Sequence, residues 1–380
     1  MTRSQPAGSL LDHFCALKDP RERWRVQYPL DEILLVVLCA TLSGMEDFVE
    51  IKLWGEQRLD FLRRFLAYER GIPSHDTLND VMNALDPELF KACFVAWVET
   101  LRDSAPDTIA IDGKTSRRSH DRAKGREPLH LVSAWACRQR LVLGQEAVCD
   151  KSNEITAIPL LLERLALAGA LVTIDAMGTQ TKIAETIVKR GGDYLLALKP
   201  NRPLLFNEVE KFFADPETSP FDTCDTTDAD HGRLETRRHS VCHHVDWLFS
   251  DRRYAGELKF PHLAMIGRVQ TEVVRNGAIE HESRYYVCST KLDAQTFARA
   301  VRDHWGIENR LHWVLDVVFH DDLARLRSGY GPENMAVVKH MAVNLLRKTK
   351  NKHSLKVRRK LASLNSQYLE TILRQNHALT

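Results

Sequence analysis

No two of the eight cysteines in this 380-residue chain form a Cys-x-x-Cys pair, and most lie in apolar runs such as Leu38-Cys39-Ala40. A chain this long builds its core without disulfide staples, so the thiols read as reduced core residues of a cytoplasmic protein. No apolar run reaches membrane-spanning length. The most apolar, Ile33 to Leu42, is about half of what a spanning helix needs, and Asp31 and Glu32 stand directly before it. A buried core helix is expected there, and no membrane partner. Met1 to Ser9 holds one Arg and no apolar core, so it does not read as a secretory leader. An excess of one charge is missing too: 53 Lys and Arg face 51 Asp and Glu, for a net charge of +2. That excludes a uniformly basic coat, and any nucleic-acid face must come from local segregation of charge. Ordinary hydrophobicity (44%) with low net charge excludes disorder as the dominant state. No internal repeat or low-complexity segment is visible.

What is there divides into two or three domains by length. Residues 1–104 read as an all-α domain. Pro29, Asp31 and Glu32 open one helix and Gly44 closes it. Asp47 caps a second running towards Leu66, and Asp86-Pro87-Glu88 starts a third through Phe90, Phe94, Trp97 and Leu101. Gly71 to Ser74 is a tight turn before a short helix from His75 to Leu85, which suits a helix-turn-helix or a plain helical hairpin. From about 105 the period changes. Short strands at 108–111, 129–137, 141–148, 171–174 and 194–198 alternate with helices at 154–167, 182–190 and 204–213. That pattern predicts a mixed α/β sheet with helices on its faces over 105–330. Residues 221–291 are irregular and strand-rich, and 293–318 reads as one long helix. A basic helical tail, 331–380, follows.

Three acids stand out. Asp112 ends the apolar run Ile109-Ala110-Ile111, and Asp175 ends Val172-Thr173-Ile174. An Asp closing a strand points out at the sheet edge, where ligands bind in open α/β sheets. Gly113 and Gly178 follow them and permit close backbone approach. Glu308 lies on the predicted helix, one turn from His304 and His312, with Asp316, Asp321 and Asp322 further on. Two carboxylates alone raise each other's pKa, and hard divalent cations remove the conflict. Two such ions about 3.5–4 Å apart activate a water or 3′-hydroxyl and stabilise a leaving oxygen on phosphorus.

The chain resembles bacterial insertion-sequence DDE transposases, of the ISAs branch that includes the H-repeat-associated proteins. The resemblance rests on Ile111-Asp112-Gly113-Lys114, Thr173-Ile174-Asp175-Ala176-Met177, Ala197-Leu198-Lys199-Pro200-Asn201, His231-Gly232-Arg233 and the block from His304 to Trp313. It covers about residues 10–375. It implies an RNase H-like catalytic core with a β-rich insertion, an N-terminal helical domain, and Asp112, Asp175 and Glu308 as the metal-binding triad. It also implies two Mg²⁺ ions per site (Mn²⁺ as substitute), DNA as partner through terminal inverted repeats and target DNA, and a homodimer on DNA. Lys114, Lys199, Arg233 and His304 are then phosphate or transition-state contacts. Related transposases carry a Tyr-x2-Arg-x3-Glu-x6-Lys signature around the last acid; here Val301, His304 and Leu315 hold the other three positions.

Charge is segregated as such a substrate requires. Arg325 to Lys360 holds eleven Lys or Arg and one acid, Glu333, and Arg347 to Lys360 holds eight bases and no acid. Around the first acid, Lys114, Arg117, Arg118, Arg122, Lys124 and Arg126 face only Asp121 and Glu127, and both patches fit a phosphate-tracking surface. His231, His239, Cys242, His243 and His244 match no established zinc spacing and read as surface histidines. Trp247, the one Trp of the insertion, either stacks on a flipped base, as in related hairpin-forming transposases, or packs the insertion's own core. Trp24, Trp54, Trp97, Trp135, Trp305 and Trp313 are expected in the core. Rival readings are a hydrolytic nuclease of the same fold, a DNA-binding protein that has lost catalysis, and more distantly a two-carboxylate glycosidase.

Overall fold

The computed structural model describes residues 9–374 apart from 23, 25, 121–124, 149–152, 219–220, 231–232, 250–259 and 276–277. Its nine strands are β1 (Thr108–Thr115), β2 (His130–Ala136), β3 (Leu141–Ala147), β4 (Leu171–Ile174), β5 (Asp193–Leu198), β6 (Asp222–Asp230), β7 (Arg233–Cys242), β8 (Met265–Arg275) and β9 (Ala278–Cys288). The chain forms two compact units, one of residues 1–104, 113–151 and 308–380, the other of 105–112 and 152–307.

The first unit is mainly helical. Its helix Leu30–Leu42 is buried along nearly its whole length, as an all-round apolar sequence demands. Asp47 caps Phe48–Gln57, Ser74 caps His75–Ala84 and Asp86 caps Pro87–Glu99, each accepting a backbone N–H of the first turn. The second predicted helix stops short, at Gln57, and a separate turn, Leu59–Leu62, follows. Past residue 330 the described residues are mainly helical, in Gly331–Lys348, Leu355–Leu364 and Ser366–Leu373, and Gly331–Lys348 carries much of this unit's core. Val337, Met341, Val343 and Leu346 are fully buried. Two buried asparagines tie that helix in place. Asn334 donates to the carbonyls of Met82 and Leu85, while Asn344 both accepts from and donates to the Val142 backbone on β3. The β2–β3 hairpin is antiparallel, and β2 lies beside the end of β1 through Thr115 and His130.

The same helix buries His340 against the Phe94 ring (centroids 6.3 Å apart). Burial pushes its pKa down to about 3. The unfolded chain binds that proton below about 6.5 and the folded chain does not, so this contribution is complete above that value and is lost as pH falls. Glu32 and Glu333, both raised by burial, act in the opposite sense. A His340→Gln variant isolates the imidazole: between pH 7 and pH 5 the wild type is expected to lose about 2 kcal/mol more unfolding free energy than the variant. Parallel urea titrations at the two pH values check this, and equal losses would contradict it.

The second unit is a sheet in the order β1-β4-β5-β9-β8-β7-β6, with β1, β4 and β5 parallel and the rest antiparallel. The strand-rich stretch expected at 221–291 is the meander β6 to β9, whose last strand pairs directly with β5. Helices Glu154–Arg164, Thr181–Lys189 and Pro203–Ala214 connect the parallel strands and lead into the meander. The helix Ala294–His304 lies on the meander. Phe297 is buried against Met265, Val269 and Tyr286, so close to Gly267 that a Cβ there would stand 2.6 Å from the ring. The fold is therefore mixed α/β with a helical N-terminal region. No described helix is long and apolar enough to cross a membrane, and the seven described cysteines are unpaired.

Candidate active site

In the second unit Ile111 of β1 stands opposite Ile174 of β4 in a parallel ladder, so Asp112 and Asp175 follow at the same level; Asp175 lies just past the end of β4 as expected, but Asp112 does not close its strand, because β1 runs on to Thr115. Neighbouring strands are about 4.8 Å apart, which sets two like charges side by side at the carboxyl edge of the sheet. Asp175 is fixed by its own turn: Oδ1 accepts the backbone N–H groups of Met177 (3.0 Å) and Gly178 (3.3 Å). The segment around it leaves no room for bulk. A Cβ on Gly178 would come within 2.3 Å of the Ile174 side chain.

The next parallel strand braces this turn, which explains two sequence motifs at once. Thr179 donates to the Ala197 carbonyl, Asn201 donates to the Ala176 carbonyl (2.6 Å), and Arg202 donates to the Thr179 carbonyl (3.1 Å) and to Gln180. Lys199, the residue after β5, is exposed at the same edge. His304 reaches this edge from the end of its helix and shares a hydrogen bond with the Thr173 hydroxyl (3.0 Å). Burial holds its imidazole below the ordinary value, against the pull of Asp175. The result is an imidazole held towards its neutral form and bonded to Thr173, two residues before the second acid.

The other expected residues have different surroundings. Lys114 belongs to the first unit. Its ammonium lies 2.7 Å from Asp316 and 3.4 Å from both Asp321 and Asp322. Asp321 is held further by Lys339 (2.5 Å) and Ser116 (2.6 Å). Those neighbours hold its carboxyl far below the usual range in spite of burial. The three aspartates that follow Glu308 in sequence are thus engaged with Lys114. Glu308 is exposed and opens a π-helical turn, Glu308–His312, in the first unit. The side chain of Arg233 lies outside the described residues, as do His231, Arg122 and Lys124; the Arg233 backbone pairs with Asp230 and Arg275. Trp247 stacks on Phe212 (4.9 Å, 11°) and donates its indole N–H to the His244 carbonyl.

Several expectations need correction. The long helix predicted over 293–318 breaks: Ala294–His304 ends, a wide turn follows, and Trp313–Val317 resumes. A π turn holds an extra residue and rotates the faces beyond it. Leu311, Val314, Leu315 and Val318 are buried as expected, yet Trp305 (40% exposed) and Trp313 (56%) are not core, nor is Trp24 (76%). His239 is buried rather than on the surface, bonded to the Cys224 carbonyl and edge-on to Phe297. The basic run 347–360 is only partly a surface. Arg347, Arg358 and Arg359 donate to backbone carbonyls, Arg359 to those of Thr41 and Val318 from a buried position. Lys350, Lys352, Lys356 and Lys360 remain exposed. Sequence reading also missed Lys91, buried in contact with Glu88 (2.7 Å), Glu146 and Glu333 (3.0 Å). These are the acids that the described residues bring within metal-binding distance of one another, and an ammonium already holds them.

Asp112 and Asp175 thus stand together at one edge of a mixed α/β sheet, and comparison with known proteins gives the family. Residues 103–345 match the family described as Transposase DDE domain, and residues 11–98 match the DDE_Tnp_1-associated family. The H repeat-associated putative transposase YhhI of Escherichia coli is 38% identical over 96% of this chain and 97% of its own length. Putative transposase YncI, also of Escherichia coli, is 39% identical over 96% of this chain and 94% of its own. A protein of Xanthobacter autotrophicus described as uncharacterized, in the dhlA 3′ region, is 39% identical over 74% of this chain and 94% of its own. Among solved structures, a piggyBac transposase synaptic complex with hairpin DNA overlays with TM-score 0.42 at 10% identity, over 98% of this chain and 82% of that one. That likeness is too weak to add to the assignment. The chain belongs to the DDE transposase family and is a DNA transposase.

Proposed function

We propose that this transposase cuts phosphodiester bonds at the ends of an insertion sequence and joins the freed 3′-ends to target DNA, using Asp112, Asp175 and Glu308 as the acidic triad. The observation that carries this reading is the equal level of Asp112 and Asp175 on adjacent parallel strands. The donor set suits hard divalent cations: carboxylate oxygens, one of them already ordered by two backbone N–H groups. Two bound Mg²⁺ ions, or Mn²⁺ in their place, supply the charge that activates the attacking oxygen and stabilises the leaving one. Asp112 and Asp175 hold the metal side of the substrate, and Glu308 completes the set. Lys199 draws the scissile phosphate to the edge, and His304, kept neutral by burial, borders it without adding charge. Arg233 is assigned to the backbone of the same DNA. Lys114 serves a phosphate in exchange for its three carboxylates. Trp247 takes a base only through the part of its ring that Phe212 leaves exposed. Two DNA ends must be held together, so a pair of chains on DNA is the proposed assembly.

The test is a labelled-end assay with the DNA bordering the gene. Mg²⁺ or Mn²⁺ is expected to give both a cleaved strand and a joined product, and EDTA to abolish both. Nicking without joining would favour a hydrolytic nuclease. Binding with no cut in either metal would mean that catalysis has been lost, as the name of one shorter relative, Inactive transposase YbfQ of Escherichia coli, states for that protein.

A further inference from the structure

The turn that carries Asp175 is held from outside as well as by its own carboxylate. From within, Asp175 Oδ1 accepts the N–H groups of Met177 and Gly178. From outside, Thr179 ties the turn to β5. Its side chain is fully buried, and its hydroxyl donates to the Ala197 carbonyl. Ile174 stands opposite Leu196 in the β4–β5 ladder, so Ala197 comes level with Asp175 itself. The chain beyond β5 grips the same turn twice more. The Thr179 carbonyl accepts from Arg202 Nε (3.1 Å), and the Ala176 carbonyl accepts from the Asn201 amide (2.6 Å). Packing closes the remaining side, where a Cβ on Gly178 would meet Ile174 at 2.3 Å. All these residues belong to the second unit.

A connecting turn at a sheet edge does not need so many ties, because water can satisfy its peptide groups. The reason lies in what this turn presents. Asp112 and Asp175 are like charges on adjacent strands, and with no cation between them each gains by turning away. Asp112 lies within β1, so its backbone is held by the ladder, whereas β4 ends at Ile174 and leaves Asp175 on a turn. Asp175 is therefore the acid that could swing out. A carboxylate that has swung out must be brought back when a cation arrives, and that cost is subtracted from the affinity. We propose that Thr179, backed by Asn201 and Arg202, is a positioning residue for the second acid: it ties the turn to β5 so that the two carboxylates stay side by side before any cation is bound. The inference rests on the reading of these acids as cation ligands and adds to it the residues that set how tightly they bind. Thr179 touches neither cation nor DNA in this role and acts through Asp175. Outer partners of metal ligands commonly change affinity by about 10–100-fold.

The experiment uses the full chain without DNA and Mn²⁺ as the probe, with free Mn²⁺ read from its electron paramagnetic resonance signal. Thr179→Val nearly keeps the shape of the side chain and removes the hydroxyl, and it should bind Mn²⁺ about 10–100-fold more weakly than wild type. Thr179→Ser keeps the hydroxyl and should bind almost as wild type does. Asn201→Ala, at an exposed position, should also weaken binding, and it decides the matter if valine lowers the unfolding midpoint. In single-turnover cleavage of DNA ends, the Mn²⁺ concentration for half-maximal rate should rise in step, and the deficit should shrink as Mn²⁺ is raised. A residue that only stabilised the fold would lower the midpoint and leave that concentration where it was. If Thr179→Val and Asn201→Ala bind Mn²⁺ as tightly as wild type, or if serine fails as badly as valine with its midpoint intact, the clamp is wrong and the reading of the acids stands. If Asp175→Asn also binds Mn²⁺ as tightly as wild type, the acids hold no cation and both fall.

Discussion

Asp175→Asn is expected to slow cleavage of DNA ends by about three orders of magnitude or more, while duplex affinity stays the same or rises. Asparagine keeps the Oδ1 acceptor, so the hydrogen bonds from Met177 and Gly178 survive and the turn keeps its shape. What disappears is one negative charge at the edge shared with Asp112. That charge binds the cations that stabilise the reacting oxygens, an interaction worth several kcal/mol in the transition state. It also repels the DNA backbone, which is why affinity does not fall. Asp112→Asn should behave alike, and the double variant should be hardly worse than either, because the two act as one unit. Single-turnover cleavage in Mg²⁺, beside fluorescence anisotropy without metal, separates the two effects. Cleavage by Asp175→Asn within tenfold of wild type would remove the acids from the chemistry.

Lys91→Met is expected to cost about 3–5 kcal/mol of stability at neutral pH. Lys91 is 1% exposed and touches three carboxylates, of which Glu146 is 5% exposed. Burial works to discharge the ammonium, but Glu333, Glu146 and Glu88 more than offset it and raise its pKa. Methionine fills similar volume and leaves the acids without their cation, and breaking a buried ion set in this way costs far more than the set contributed. The acids then escape by binding protons. The variant should therefore regain part of the loss at pH 5, or when Glu146→Gln and Glu333→Gln are added. Denaturation midpoints of the single and triple variants measure this, and a Lys91→Met protein as stable as wild type would show that the cluster is hydrated and inexpensive. Lys91 is not among the residues assigned to the reaction, so the loss is one of folding.

Much of the architecture was legible because it follows from local rules. The caps at Asp47 and Asp86, the apolar strand before Asp175, and the strand-rich insertion all recur in the fold within a few residues of their expected bounds, whereas β1 runs past Asp112 to Thr115. Local pattern failed at the HWGIEN block. A helical wheel assumes 3.6 residues per turn throughout, but the helix ends at His304 and leaves its C-cap Trp305 exposed, and the wide turn Glu308–His312 precedes an exposed Trp313 while Leu311 stays inside. Composition misled in the same way at 347–360. A count of bases does not reveal that Arg347, Arg358 and Arg359 are spent on carbonyl groups of the fold.

The amino-acid sequence alone determined the class of this protein: its mixed α/β plan, its helical N-terminal region and its membership among DDE transposases, all carried by patterns a few residues long. Only the tertiary structure decided which charges are engaged and which stay exposed. It bound Lys114 to three aspartates, turned the Glu88, Glu146 and Glu333 cluster into a lysine's cage, and brought Arg284 against Trp305. The physical reason is that these contacts join residues tens to hundreds of positions apart. A side chain's charge and shape are written at one position, but its partner is chosen by the packing of the rest.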